Sequence, residues 1–249
     1  MYCDPTGDFP HNPEPLKEHL TALSERVSKE KADFGIVVDP DVDRLAFVDE
    51  NGAFFGEEYT LVACSDYVLS KTPGNTVSNL SSTQALSLIT FQRGGTHHAS
   101  AVGEVNVVEK MKKVKAVIGG EGNGGIIYPD LHYGRDALVG VALFLSLLIE
   151  KNQKVSVLRA SYPDFAMSKA KISLSKEMDV GSIFKKIERK FSKNNIITID
   201  GVKISFESSW VHLRKSNTEA IIRVYTEAKS QLEADELAQR FLGEIQKVV

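Results

Sequence analysis

Cysteine is nearly missing from this chain. Its 249 residues hold two, Cys3 and Cys64. That pair offers neither a disulfide framework nor a thiolate metal site, and such usage fits a reducing compartment. Long apolar runs are also lacking. The most apolar stretch, 137–149, falls short of the roughly 20 residues that span a bilayer, so it reads as a buried helix. No secretory leader is legible, and the expected location is the cytoplasm. Nor is there a basic tract: 30 Lys+Arg face 33 Asp+Glu for a net charge of −3, which argues against a nucleic-acid partner. The six histidines form no Ser-His-Asp or Cys-His pattern, and His97-His98 reads as a loop pair. Internal repeats and low-complexity tracts are absent too. What remains is 42% hydrophobic and 25% charged, ordinary for a globular chain with more than one core. The charge is uneven. Residues 163–249 carry 15 Lys+Arg against 12 Asp+Glu, whereas residues 1–162 carry 15 against 21. A mildly basic C-terminal segment suits an anionic ligand, and solvated faces explain it equally well.

Against that background one stretch stands out: Asp39-Pro40-Asp41-Val42-Asp43-Arg44. It follows the apolar run 34–38, which reads as a buried strand. Three alternating carboxylates in an extended segment project to one side. Each then raises the energy of ionising the others. A hard cation relieves that repulsion, and Mg²⁺ suits two or three carboxylates together with a substrate phosphate. The guanidinium of Arg44 suits a phosphate held on the metal.

The opening residues are Pro-rich and read as loop. Leu16, Leu20, Leu23 and Val27 recur at helical spacing. Strands at 34–38 and 45–48 and the turn Asp49-Glu50-Asn51-Gly52 follow. One helix and two strands are too little for a core, so residues 1–53 read as the remnant of a larger domain. From 54 to 162 helices at 58–70, 85–93, 105–112 and 135–151 alternate with strands at 76–80, 96–99 and 114–118. That alternation predicts an α/β-layered domain. Ser81-Ser82-Thr83 supplies capping residues for the second of these helices. After Tyr162-Pro163-Asp164 the pattern becomes strands in series around a helix at 182–191, with a last helix opening at Ser230 and a capping-box Glu233. Residues 163–249 therefore read as an α+β C-terminal domain.

Two further loops carry chemistry. Gly119-Gly120-Glu121-Gly122-Asn123-Gly124-Gly125 follows an apolar strand, and its spacing is not that of a dinucleotide cradle. A carboxylate and an amide two apart, Glu121 and Asn123, can grip vicinal hydroxyls of a sugar; a plain wide turn explains the loop as well. Arg214-Lys215-Ser216-Asn217-Thr218-Glu219, with Arg223 beyond, offers guanidinium, hydroxyl, amide and turn N–H groups to a phosphate. Alone, that stretch reads as a polar hairpin loop.

Together and in this order the three loops resemble the α-D-phosphohexomutase family, which includes phosphoglucomutase, phosphomannomutase and phosphoglucosamine mutase. The acidic loop is similar to its metal loop, D-G-D-x-D-R, with Pro40 for Gly. The Gly-rich loop is similar to its sugar loop, with Gly125 where a His is usual. The segment 214–219 resembles its phosphate loop, with Ala220 for Pro. The resemblance spans essentially the whole chain. It implies mixed α/β layered domains followed by an α+β domain: the end of a second mutase domain (1–53), a third (54–162) and a fourth (163–249). It implies Mg²⁺ on Asp39, Asp41 and Asp43, and Arg44 beside a phosphoserine. It implies sugar contacts from Glu121, Asn123 and Glu104, and phosphate contacts from Arg214, Ser216, Asn217 and Thr218. The partners implied are a hexose phosphate and a sugar bisphosphate, interconverted between 1- and 6-phospho forms, with no membrane and no defined oligomeric state. The family's nucleophilic serine precedes a His-Asn-Pro triplet. Here His11-Asn12-Pro13 follows Phe9-Pro10, so the serine is missing and the chain by itself is expected to be inactive. Two other readings compete: a non-catalytic sugar-phosphate binding module, and a metal-dependent phosphatase with an aspartate nucleophile. The latter needs a lysine close by, and Lys31 and Lys71 are poorly placed.

Overall fold

A computed structural model describes residues 1–175, 178–216 and 219–248. It divides into two compact units, Met1–Pro163 and Asp164–Val249.

The first unit opens with loop and a single 3-10 turn at Lys17–His19. Then come α1 (Thr21–Glu30), β1 (Gly35–Val38) and β2 (Leu45–Val48). The two strands form an antiparallel hairpin in which Val38 pairs with Leu45. The acidic loop is therefore the hairpin's own connection. All four β2 residues are buried, because α1, α2 (Glu57–Lys71) and α5 (Ala137–Lys151) pack against it. Phe47 of β2 stacks on Phe144 of α5 with ring centroids 3.8 Å apart, and Phe55 meets Phe144 edge-on. The N-terminal piece has a small cluster of its own, Leu20, Val27 and Val48, and β2 buries further apolar residues against the following elements.

Those elements are α2, β3 (Asn75–Asn79), α3 (Ala85–Gln92), β4 (His97–Ser100), α4 (Glu104–Val114), β5 (Ala116–Glu121), β6 (Gly125–Ile127), α5 and α6 (Val155–Ala160). The sheet order is β4-β3-β5-β6. The first three strands are parallel and β6 returns antiparallel to β5. Strand–helix alternation thus yields an α/β layer, while β6 and α6 go beyond the sequence pattern. Thr83 serves α3 as expected, its Oγ1 accepting the Ala85 N–H at 3.2 Å, but Ser82 does not. The N-cap of α3 is Gln84 with no side-chain cap bond, and the Ser82 hydroxyl is used elsewhere. Asp136 caps α5, accepting from the Val139 N–H. The pair β5–β6 repeats the form of β1–β2, a hairpin whose loop carries polar site residues. The repeat is invisible in sequence because the two loops share no residue pattern.

The second unit is a five-stranded antiparallel sheet in the order β7-β11-β10-β9-β8. Its strands are β7 (Ala166–Ser173), β8 (Asn195–Ile197), β9 (Val202–Ser205), β10 (Trp210–Lys215) and β11 (Ile221–Ala228), with α7 (Val180–Lys190) and α8 (Gln231–Val248). Ile183, Ile187, Phe241 and Ile245 of the helices bury against Val211, Leu213, Ile222 and Val224 of the strands. The Ser230–Glu233 capping box forms reciprocally, N–H to side chain in both directions. His212, on the other face of β10, is 1% exposed and donates from Nε2 to the Asp200 carbonyl at 2.6 Å. Burial pushes its pKa down to about 4, with Lys203 and Arg214 nearby acting in the same direction. The unfolded chain takes up this proton near pH 6.5, but the folded unit resists it until about pH 4. The stabilisation is therefore complete above pH 6.5 and is lost as pH falls toward 4, by roughly 3 kcal/mol. Denaturation followed by the fluorescence of Trp210, the single tryptophan, should show this decline, and His212→Gln should flatten it. An equally steep decline in the variant would assign the effect to other groups.

Candidate active site

The acidic loop is a turn, not the extended segment expected from alternation. Asp39 is buried, and its Oδ1 accepts the N–H groups of Asp43 and Arg44, each at 3.0 Å. Val42 sits at φ +59°, an uncommon conformation for a β-branched residue. It is held there because its carbonyl accepts from the Ala137 N–H at the start of α5, 3.0 Å away. Folding back this way still brings the carboxylates together: one oxygen from each of Asp39, Asp41 and Asp43 lies within 4.8 Å of the others. Asp43 Oδ1 is buried with no hydrogen-bond partner among the described residues. Burial raises the Asp43 pKa to about 6, Arg135 pulls against that, and Asp39 and Asp41 add to it. A buried acceptor without a donor, beside two further carboxylates, fits a divalent cation. Arg44 pairs with Glu14, Nη1 to Oε1 at 2.5 Å, and its Nε lies 3.5 Å from Asp39 Oδ2 and 3.7 Å from Asp43 Oδ1.

The Gly-rich loop closes the β5–β6 hairpin, with Glu121 opposite Gly125. Glu121 is buried. Its Oε1 accepts from Asn79 Nδ2 at 2.9 Å and the Gly103 N–H at 3.1 Å, and its Oε2 from Arg135 Nη1 at 3.2 Å. Asn123 is half-buried and turns its Oδ1 to the Gly125 N–H at 3.1 Å, which leaves its amide N–H groups for a ligand. Gly122 N–H donates to Ser82 Oγ at 3.0 Å. Gly124 has φ +88°, and a Cβ there would stand 2.1 Å from the Leu45 carbonyl. Its own carbonyl accepts from the Leu45 N–H at 3.1 Å. That bond joins the Gly-rich loop to the residue directly after Arg44, so the two hairpin loops lie side by side.

Glu104 is the first residue of α4, and it bonds Arg135 through the backbone N–H at 3.3 Å and Nε at 3.1 Å. Arg135 also pairs with Asp43 through Nη2. In the sequence Arg135 reads only as the start of a helix. It stands one residue before the N-cap, and its partners Asp43, Glu104 and Glu121 come from three separated segments. The only local signal was a guanidinium ahead of a strongly apolar helix. The His pair lies in β4, which matches the strand expected at 96–99 and not the loop reading of the pair, and His97 meets Thr76 Oγ1 at 3.0 Å.

In the second unit Arg214 lies directly opposite Arg223 across β10 and β11. Like charges facing each other on one sheet face repel unless an anion sits with them. Arg223 bonds Glu219 at 2.7 Å and the Tyr225 hydroxyl at 3.2 Å. Arg214 Nε is 4.0 Å from Asp200. Ser216 is buried, its N–H on the Ile221 carbonyl and its Oγ accepting from the Glu219 N–H. Asn217 and Thr218 lie outside the described residues.

Three family descriptions match consecutive stretches. Residues 1–52 match phosphoglucomutase/phosphomannomutase alpha/beta/alpha domain II, residues 56–165 match domain III, and residues 167–244 match the C-terminal domain. A Methanopyrus kandleri protein named "Probable phosphoglucosamine mutase" is 32% identical over 100% of this chain and 56% of its own length. A Thermococcus kodakarensis phosphoglucomutase/phosphomannomutase is 36% identical over 93% of this chain and 51% of its own. The crystal structure of a Burkholderia thailandensis phosphoglucomutase/phosphomannomutase family protein superposes with a TM-score of 0.81 at 23% identity, covering 96% of this chain and 52% of that one. That last likeness is one of fold. Both of these relatives carry the names of phosphohexomutases. This chain belongs to the phosphoglucomutase/phosphomannomutase family. It spans about half the length of the curated relatives it matches.

Proposed function

We propose that this chain carries the metal, sugar and phosphate sites of a Mg²⁺-dependent phosphohexose mutase. Such an enzyme interconverts 1-phospho and 6-phospho sugars through a phosphoserine and a sugar bisphosphate. The observation that carries the reading is the convergence of Asp39, Asp41 and Asp43 within 4.8 Å on a loop bonded to the one that bears Glu121. Asp39, Asp41 and Asp43 would hold Mg²⁺, which when bound offsets charge on a transferring phosphoryl group. Arg44 stands beside them as a donor to a phosphate. Glu121 accepts from a sugar hydroxyl with its remaining lone pair, and Asn123 donates to one. Glu104 contributes through its hold on Arg135. Arg214, Ser216, Asn217 and Thr218 take the phosphate that does not react. The preferred sugar is a glucosamine phosphate, in line with the name of the Methanopyrus relative. The cytoplasm is the proposed location; among the described residues no helix is long and apolar enough to cross a membrane. A phosphatase would need one aspartate free to attack. It would also need a lysine beside that aspartate, and Lys71 pairs with Glu150 instead, which favours the mutase reading.

Arg214→Ala tests the phosphate assignment. Binding of hexose 6-phosphate, followed by calorimetry, should weaken by roughly 1.5–3 kcal/mol, the worth of a hydrogen bond to a charged group. Binding of the unphosphorylated hexose should stay as it is. Unchanged phosphosugar binding would make the loop a plain hairpin turn.

A further inference from the structure

We infer that Arg135 is a positioning residue that ties the metal loop to the sugar loop and sets the orientation of Asp43. The inference rests on reading residues 39–43 as the metal site. Its side chain is 16% exposed and reaches three carboxylates from three segments. Nη2 engages Asp43 Oδ2, Nη1 engages Glu121 Oε2 and Nε engages Glu104 Oε2. With Oδ2 of Asp43 held in this way, the other oxygen, Oδ1, is the one left buried without a hydrogen bond, Arg44 Nε lying 3.7 Å from it. A guanidinium fork fixes a carboxylate in its plane, whereas an ammonium supplies charge without direction. The sugar loop is shaped around this side chain. A Cβ at Gly125 would stand 2.5 Å from Arg135 Cδ and 3.1 Å from Cγ, so the glycine ending that loop makes room for the arginine stem.

Two roles for Arg135 predict opposite results. If the guanidinium only balances negative charge, removing it should tighten a cation site, and a lysine should serve as well. If it positions Asp43, every change that moves the fork should weaken the site, whether or not charge is kept. Partners that orient metal ligands typically change affinity by about tenfold to a hundredfold. The experiment is calorimetric titration of Mg²⁺ into the wild-type chain, Arg135→Lys, Arg135→Gln and Gly125→Ala at pH 7.5. A denaturation curve of each variant confirms that it is folded. The expected result is weaker Mg²⁺ binding, by about tenfold or more, in all three variants. Gly125→Ala is the sharpest arm, since it removes no charge and touches no metal-loop residue. Should Arg135→Gln fail to fold, Arg135→Lys and Gly125→Ala decide. Tighter binding in Arg135→Gln with unchanged binding in Arg135→Lys and Gly125→Ala would overturn the inference while leaving the metal site standing. A wild-type chain that binds no Mg²⁺ would overturn the metal reading, and this inference with it.

Discussion

Mixed with a hexose phosphate, Mg²⁺ and a sugar bisphosphate, the 249-residue chain is expected to show no mutase turnover. Relaying a phosphoryl group requires a nucleophile that accepts it and gives it back. Next to Asp39, Asp41, Asp43 and Glu121 stand carboxylates, guanidiniums and amides. One hydroxyl near Glu121, Ser82 Oγ, is taken up between the Gly122 N–H and Asn79 Oδ1. His11-Asn12-Pro13 has no serine before it, and the His11 ring is exposed beside Tyr2. Enzymes commonly accelerate their reactions by about a millionfold or more, so loss of the relay should take the rate to background. A coupled assay with a full-length relative as positive control measures this. Turnover that disappears in Asp43→Ala would contradict the expectation, and release of free phosphate in the same assay would point to an aspartate-based phosphatase.

How far the sequence carried depended on how local the causes were. Strand 45–48 was legible because Leu45-Ala46-Phe47-Val48 is a short apolar run after a charged loop. The acidic loop was legible because its three carboxylates are packed into five residues. Its backbone was not. The turn depends on Asp39 accepting two N–H groups and on α5 holding the Val42 carbonyl, and the second cause lies far along the chain. Strand β6 is three residues long, too short for an alternation to register. Ser82 looked like a helix cap because Ser-Ser-Thr before an apolar run is a capping signal, yet a loop forty residues away competes for its hydroxyl. Arg135 shows the limit most plainly. Nothing near it in sequence is its partner, and only the side-by-side packing of the two hairpin loops brings Asp43, Glu104 and Glu121 around one guanidinium.

The second large effect concerns the metal. Asp41 is the cleanest of the three carboxylates to alter. It is exposed, so Asp41→Asn removes a negative charge and one of the two carboxylate oxygens without opening a hole. Asp39, by contrast, holds the turn together, and replacing it would confound loop collapse with ligand loss. Charge count is a main determinant of affinity for hard cations. The Asp43 carboxyl, with its pKa raised to about 6, must be deprotonated to bind. Affinity should therefore fall as pH drops below 6, and a titration at pH 7.5 avoids that competition. Calorimetric titration of Mg²⁺ into the wild-type chain and Asp41→Asn at pH 7.5 is the measurement that tests the account most directly. One site in the wild type, weakened about tenfold or more by the substitution, is the predicted result. Equal affinity in the two proteins would contradict it.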